Sequence, residues 1–266
     1  MPRILFWNVN KRDLRDLVCD AAIASSADVV ILLENACDAN ETLDRLKPRV
    51  STSFDRPAAS DGRFHLFCRD SGLGLNELFS SDRLSLRRLR RGNESLLLGI
   101  VHVVDKWNWD ESQQSTQVQL LSAEIHEHEK KHAHHRTILV GDFNMNPFDA
   151  AMNIAPLLNA MMTKKCVQAG SRRLQKREYS YFYNPMWSLL GDETFGPAGT
   201  YYHSVSSKGF FGWNMLDQVL VRPAALKWFK NVQILTSAGK TSLQTKSKRP
   251  DKVRASDHFP ILLELN

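Results

Sequence analysis

Cysteine is scarce in this chain. There are four in 266 residues, at Cys19, Cys37, Cys68 and Cys166, and no two form a CxxC pair. That spacing argues against a disulfide framework and against a thiolate zinc site, and points to reduced thiols in a cytoplasmic protein. No apolar run approaches the roughly 20 residues of a membrane-spanning helix. The first residues, Met1 to Asn8, enter an apolar stretch without the long hydrophobic region or cleavage site of a signal peptide. A cytoplasmic location with no membrane association is therefore expected. Internal repeats, low-complexity linkers and composition breaks are also missing, so one domain over residues 1–266 is expected.

The composition excludes a disordered or fibrous chain, because 42% of residues are hydrophobic and 24% charged. Lys and Arg number 35 against 29 Asp and Glu, a net charge of +6. A basic balance suits a polyanionic, phosphate-rich partner, though many basic proteins have none.

Apolar periodicity outlines the elements. Arg3 to Val9 reads as a strand. Leu14, Leu17, Val18, Ala21 and Ala22 then recur on one helix face. Asp28 to Leu33 (DVVILL) is short and β-branched, the pattern of a buried strand. Strands are also expected at Phe64–Cys68, Leu84–Leu89, Ser95–Val104, Thr137–Val140, Met215–Val221 and Ile261–Leu265. Gln113–His135 and Asp149–Met162 read as helices, and 163–214 as irregular. Strands interleaved with helices imply an α/β layered fold, and the lack of a regular helix between strands argues against a doubly wound sheet. Two packed sheets flanked by helices fit better.

Polar residues recur where these strands end. Asn8 and Asn10 follow the first, Glu34 follows DVVILL, and His102 lies in GIVHVV. Asp142 and Asn144 follow TILV, Asp217 lies in MLDQVLV, and Asp257-His258 precede FPILLEL. Each alone has a structural explanation: an Asp after a strand commonly caps a helix or a turn, and a His in a strand commonly packs in a core. Together they describe a site, because sheets hold side chains rigidly while a crevice opens at the strand ends. Carboxylate and amide donors without cysteine suit a hard divalent cation such as Mg²⁺, with Mn²⁺ as the alternative. Metal, proton-transfer groups and phosphate donors together suffice for phosphodiester hydrolysis.

WNVN (Trp7–Asn10), LLEN (Leu32–Asn35), Val101-His102, GDFN (Gly141–Asn144), LDQVLV (Leu216–Val221) and SDH (Ser256–His258) occur in that order. The set resembles the endonuclease/exonuclease/phosphatase superfamily, the DNase I-like enzymes, across nearly the whole chain. The resemblance implies an α/β four-layer sandwich, two mixed sheets flanked by helices, with the site at one edge. It implies that Glu34 is the main Mg²⁺ ligand, helped by Asn8 and Asp257. Asp142 would orient or deprotonate the attacking water, and Asn144 would hold the phosphate. His258 would stabilise the growing phosphate charge, with Asp217 fixing its tautomer. His102 would touch phosphate or leaving group, and Asn10 stands where some members carry Asp. LDQ and GDFNMNP depart from the CDR-type and GDLNYR patterns of inositol 5-phosphatases, which lowers that reading.

Basic clusters occupy Arg83–Arg91, Lys164–Arg177 and Lys240–Arg254. Arginine and lysine beside a channel would supply the salt-sensitive part of nucleic-acid binding. RLSLRRLRR itself reads as an edge strand with a polar face. Trp107 and Trp109, shortly after His102, are the candidate base-stacking residues. HEHEKKHAHH (His126–His135) reads as an exposed helix end that binds metal only adventitiously. The expected function is an Mg²⁺-dependent nuclease. The alternatives are a phosphoesterase acting on a lipid or small molecule, and a catalytically silent binding subunit.

Overall fold

A computed structural model describes residues 2–47, 53–59, 62–69, 72–207 and 210–266. Two large sheets dominate it. The six-stranded sheet runs, in spatial order, Phe229–Ile234, Ile261–Leu265, Arg3–Asn8, Val29–Leu33, Phe64–Arg69 and Phe54–Asp55. The seven-stranded sheet runs Leu73–Ser80, Leu84–Arg91, Glu94–His102, Thr137–Asp142, Asp217–Val221, Phe182–Tyr183 and Ala160–Met161.

Strand alternation sorts the side chains into three apolar layers. Ile4, Phe6, Val29, Ile31 and Leu33 of the first sheet face Leu98, Ile100, Ile138, Val140 and Val219 of the second. Their neighbours Leu5, Trp7, Val30 and Leu32 point the other way, onto the helices Arg15–Ala24 and Ala39–Leu46. Leu97, Val101, Leu139 and Leu220 point outward onto Val118, Leu121 and Ile125 of the helix Glu111–Lys131. Because successive strand residues face opposite sides, both faces of these strands are apolar. The result is the helix–sheet–sheet–helix sandwich expected from the sequence. Each fully buried Leu, Ile, Val or Phe contributes roughly 1.5–3 kcal/mol.

Four local expectations are corrected. The helix expected over Asp149–Met162 is confined to Ala150–Asn153, since Pro156 has no N–H with which to extend a helical ladder. The long helix starts at Glu111, because Asp110 and Gln113 close a capping box there, and it ends at Lys131 before Ala133 turns left-handed. The strand Leu84–Arg91 is not an edge: it lies between two others, and Arg87 is fully buried with its guanidinium 2.7 Å from Glu77. In the histidine run, His128 and His134 are buried rather than exposed. Phe79 packs on the His128 ring at 4.2 Å, and Ser95 Oγ lies 3.2 Å from His134 Nε2.

The stretch 163–214 contains two antiparallel hairpins, Ser171–Leu174 with Arg177–Ser180, and Tyr201–Ser207 with Phe210–Asn214. None of the four cysteines forms a disulfide. No helix among the described residues is long and apolar enough to cross a membrane.

Candidate active site

Strand direction brings the polar residues together. Arg3–Asn8 and Val29–Leu33 run parallel, so Asn8 and the residue after Leu33, Glu34, emerge at the same edge. Glu94–His102 and Thr137–Asp142 are also parallel, with His102 opposite Asp142. Asp217–Val221 runs antiparallel and starts where they finish, placing Asp217 opposite Asp142. Ile261–Leu265 likewise runs antiparallel to Arg3–Asn8, so the preceding Asp257-His258 arrives at that edge.

The ends are held by backbone that most residues avoid. Asn10, Lys11, Glu34 and Asn144 have φ of 49°, 54°, 50° and 50°. Left-handed non-glycine residues cost of order 1–3 kcal/mol each and gather at functional sites. Lys11 N donates to Glu34 O at 2.7 Å, and Asn10 N donates to Asn8 Oδ1 at 3.0 Å. Ser256 Oγ donates to Asn8 O at 2.7 Å and accepts from His258 N at 3.1 Å, which pins the Asp257 loop to the first strand.

Side chains then bridge the sheets. Asn8 Nδ2 donates to Asp142 Oδ2 at 3.0 Å and lies 3.4 Å from Glu34 Oε1. His102 Nε2 lies 3.5 Å from the same Glu34 oxygen. Asp142 Oδ1 accepts from Asn144 N at 2.8 Å, and Asn144 Nδ2 donates to Val103 O at 3.0 Å. Asp217 Oδ2 is 2.8 Å from His258 Nδ1, and Asp217 N donates to Thr200 Oγ1 at 3.1 Å. Gly141 precedes Asp142 for a packing reason: a Cβ there would stand 2.0 Å from Val101 O.

Charge follows from this packing. Burial pushes the Asp142 carboxyl above the usual range, opposed by His258 beside it. For His258, burial alone would lower the imidazole, but Asp217, Asp142 and Asp257 outweigh it and push it up to about 10. Burial, with Asp257 and Asp142 nearby, raises the Tyr201 phenol to about 12.

A cleft of about 760 Å³ opens over these groups. It is lined by Asn8, Asn10, Glu34, His102, Asp142, Asn144, Asp257 and His258, together with Trp107 and Trp109. Asp217 lies behind His258 and is fully buried. Trp109 packs against the core under the long helix, which leaves Trp107 as the better placed indole. Sequence reasoning missed Tyr201, Lys11 and Arg63, which line the cleft, and Ser256 and Thr200, which tie it together. Only the order SDH hinted at Ser256. Of the three basic clusters, Arg83 alone lines the cleft among the described residues.

Two donor sets could hold a metal. Asp142, Asp217 and His258 offer atoms within 4.8 Å of one another, all buried. Within that trio, however, the short Asp217–His258 contact already pairs carboxylate with imidazole. Glu34 is 26% exposed and faces the cleft with Asp257. Oxygen donors open to solvent fit a hard divalent cation better.

Sheet order, edge and residue set define a class. The chain belongs to the endonuclease/exonuclease/phosphatase family, whose model matches residues 5–258. That family's enzymes act on phosphoester bonds. No curated protein matches the chain by sequence. Among solved structures, Danio rerio TDP2 complexed with a single-strand DNA product is 19% identical with a TM-score of 0.59, covering 100% of this chain and 98% of its own. A Bacteroides thetaiotaomicron mannosyl-6-phosphatase is 13% identical with a TM-score of 0.59, each chain covered in full. The endonuclease domain of TRAS1, a telomere-specific non-LTR retrotransposon, is 13% identical with a TM-score of 0.54, covering 100% and 99%. At these identities the likeness establishes the fold alone.

Proposed function

We propose that the protein is an Mg²⁺-dependent phosphodiesterase that hydrolyses DNA or RNA. The observation that carries this reading is the lining of one cleft. Acidic and imidazole groups lie at its floor, while the cations Lys11, Arg63 and Arg83 and the indole of Trp107 line the same space. Cations attract a phosphate backbone regardless of sequence, and an aromatic ring can accept a base. A phosphomonoester of a small molecule needs neither a row of cations nor a stacking ring.

In the proposed mechanism Glu34 and Asp257 would hold the cation, and Asn8 orients Glu34 and Asp142. As it stands, the Asn8 amide N–H faces both carboxylates, so this residue acts as an orienting donor. A divalent cation bound there would neutralise phosphoryl charge and polarise the ester. Asp142, fixed by Asn8 and Asn144 N, aligns the attacking water and takes its proton. His258, held as a cation by Asp217, stabilises charge on the scissile phosphate, and His102 and Asn144 contact the same group. Every expected position is filled, which weighs against a silent binding subunit.

One panel tests the reading: purified protein with DNA, RNA, sphingomyelin, inositol phosphates and sugar phosphates, in Mg²⁺, Mn²⁺ or EDTA. Nucleic acid should be cleaved with metal and spared with EDTA. Hydrolysis of a lipid or sugar phosphate alone would replace the nuclease reading with the small-phosphoester one.

A further inference from the structure

Four aromatic rings run outward from the catalytic centre. Tyr201 packs on His258 with ring centroids 4.9 Å apart. His203 stacks almost parallel to Tyr201, at 6.3 Å and 9°. Trp107 leans on His203 at 4.8 Å and 60°. Trp107 and Tyr201 line the cleft and both are only partly buried.

The outermost ring is preorganised. Asp105 Oδ1 accepts from Trp107 N and Asn108 N, each at 2.8 Å, which closes the turn that carries the indole. Tyr201 is fixed from the other side, because its backbone forms an isolated antiparallel bridge with His258. The ladder therefore exists before any ligand binds, and little ordering is needed to use it.

A base inside a duplex has both faces covered by its neighbours and its edge paired, so it cannot also lie on a protein ring. A base in a single strand is free to turn out and stack. We propose that the cleft selects a nucleic-acid strand whose base next to the scissile phosphate is unpaired, and that this base stacks on Trp107, backed by His203 and Tyr201. The proposal rests on the nuclease reading and adds strandedness and a specificity-determining ring to it. Lys11, Arg63 and Arg83 in the same cleft serve the strand's phosphates, and the ladder serves its bases.

The test compares one labelled oligonucleotide as a single strand, as a blunt duplex, and as a single strand of base-less abasic units. Cleavage is measured in Mg²⁺, and indole fluorescence is measured in EDTA, where binding is read without turnover. The base-bearing single strand should be cleaved at least tenfold faster than the duplex and should quench fluorescence. Trp107→Ala should raise its KM roughly 5- to 100-fold, with a smaller effect on kcat, and should narrow its advantage over the base-less strand. Trp107→Phe should restore part of that advantage. Equal cleavage of single strand and duplex would overturn this proposal and leave the nuclease reading standing. So would a Trp107→Ala penalty as large on the base-less strand as on the base-bearing one. No cleavage and no quenching with any oligonucleotide would overturn both.

Discussion

At the residue scale, Asp217 Oδ2 lies 2.8 Å from His258 Nδ1; Asp217 is fully buried, while the largely buried His258 packs against Tyr201 and lines the cleft. His258 is raised to about 10 in the folded chain from an ordinary value near 6.5. Its charged interactions therefore stabilise the fold fully below about pH 6.5 and fade as the pH climbs toward 10. Activity should fall on the alkaline side as His258 loses its proton, near pH 10 rather than near 6.5. On the acid side the limb belongs to Asp142, whose raised carboxyl must be ionised to take a proton, so the rate should grow with pH there. Asp217→Asn removes the charge that does most to hold His258 protonated. The expected outcome is a kcat lowered roughly 10²- to 10⁴-fold and an alkaline limb moved to lower pH, measured as kcat against pH on the cleaved substrate. An alkaline limb left in place would show that Asp217 does not act through His258. Asp142→Ala and His258→Ala should likewise lower kcat far more than they change KM; an unchanged rate in both would refute the assigned roles.

Between residue and site stand the strands, and here close approach matters more than charge. At Gly141 any side chain would drive into the backbone of Val101, so Gly141→Ala must force apart the strands that carry His102 and Asp142. A loss of about 1–3 kcal/mol is expected, read as a lower urea midpoint, with a fall in turnover from the same displacement. Arg87 is a contrasting case. Its guanidinium is buried against Glu77, Ser85 Oγ and Ala58 O. Arg87→Ala breaks a buried ion pair, a loss of about 3–5 kcal/mol, yet the residue lies away from the catalytic groups. Urea melts should show the loss, while kcat of the folded fraction stays near wild type.

The whole molecule presents basic charge to a polyanion, +6 in all, but among the described residues the cleft's Lys and Arg side chains are Lys11, Arg63 and Arg83. Three phosphate contacts on a single strand imply a slope of log affinity on log salt of about −2. Raising salt from about 50 to 200 mM should weaken binding by roughly twentyfold, measured by fluorescence titration in EDTA. A flat salt dependence would remove the polyanion from the argument. Chelation should abolish hydrolysis while leaving far-ultraviolet circular dichroism intact, because the three apolar layers involve no metal ligand. Added Mg²⁺ should raise the melting temperature by mass action at the site.

Short continuous apolar runs such as DVVILL and TILV, and the polar residues that end them, were legible from the chain alone, because a strand buried on both faces needs apolar side chains at every position whatever the fold. That determined the layered architecture and most of the candidate residues. Only tertiary structure decided which of them meet. His258 and Asp217 are separated by 41 positions and join because antiparallel strands begin where parallel ones end. The same packing brought Lys11, Arg63, Tyr201 and Trp107 to one cleft and buried Arg87 and His128. Local periodicity carries no record of partners far along the chain, and burial is set by those partners.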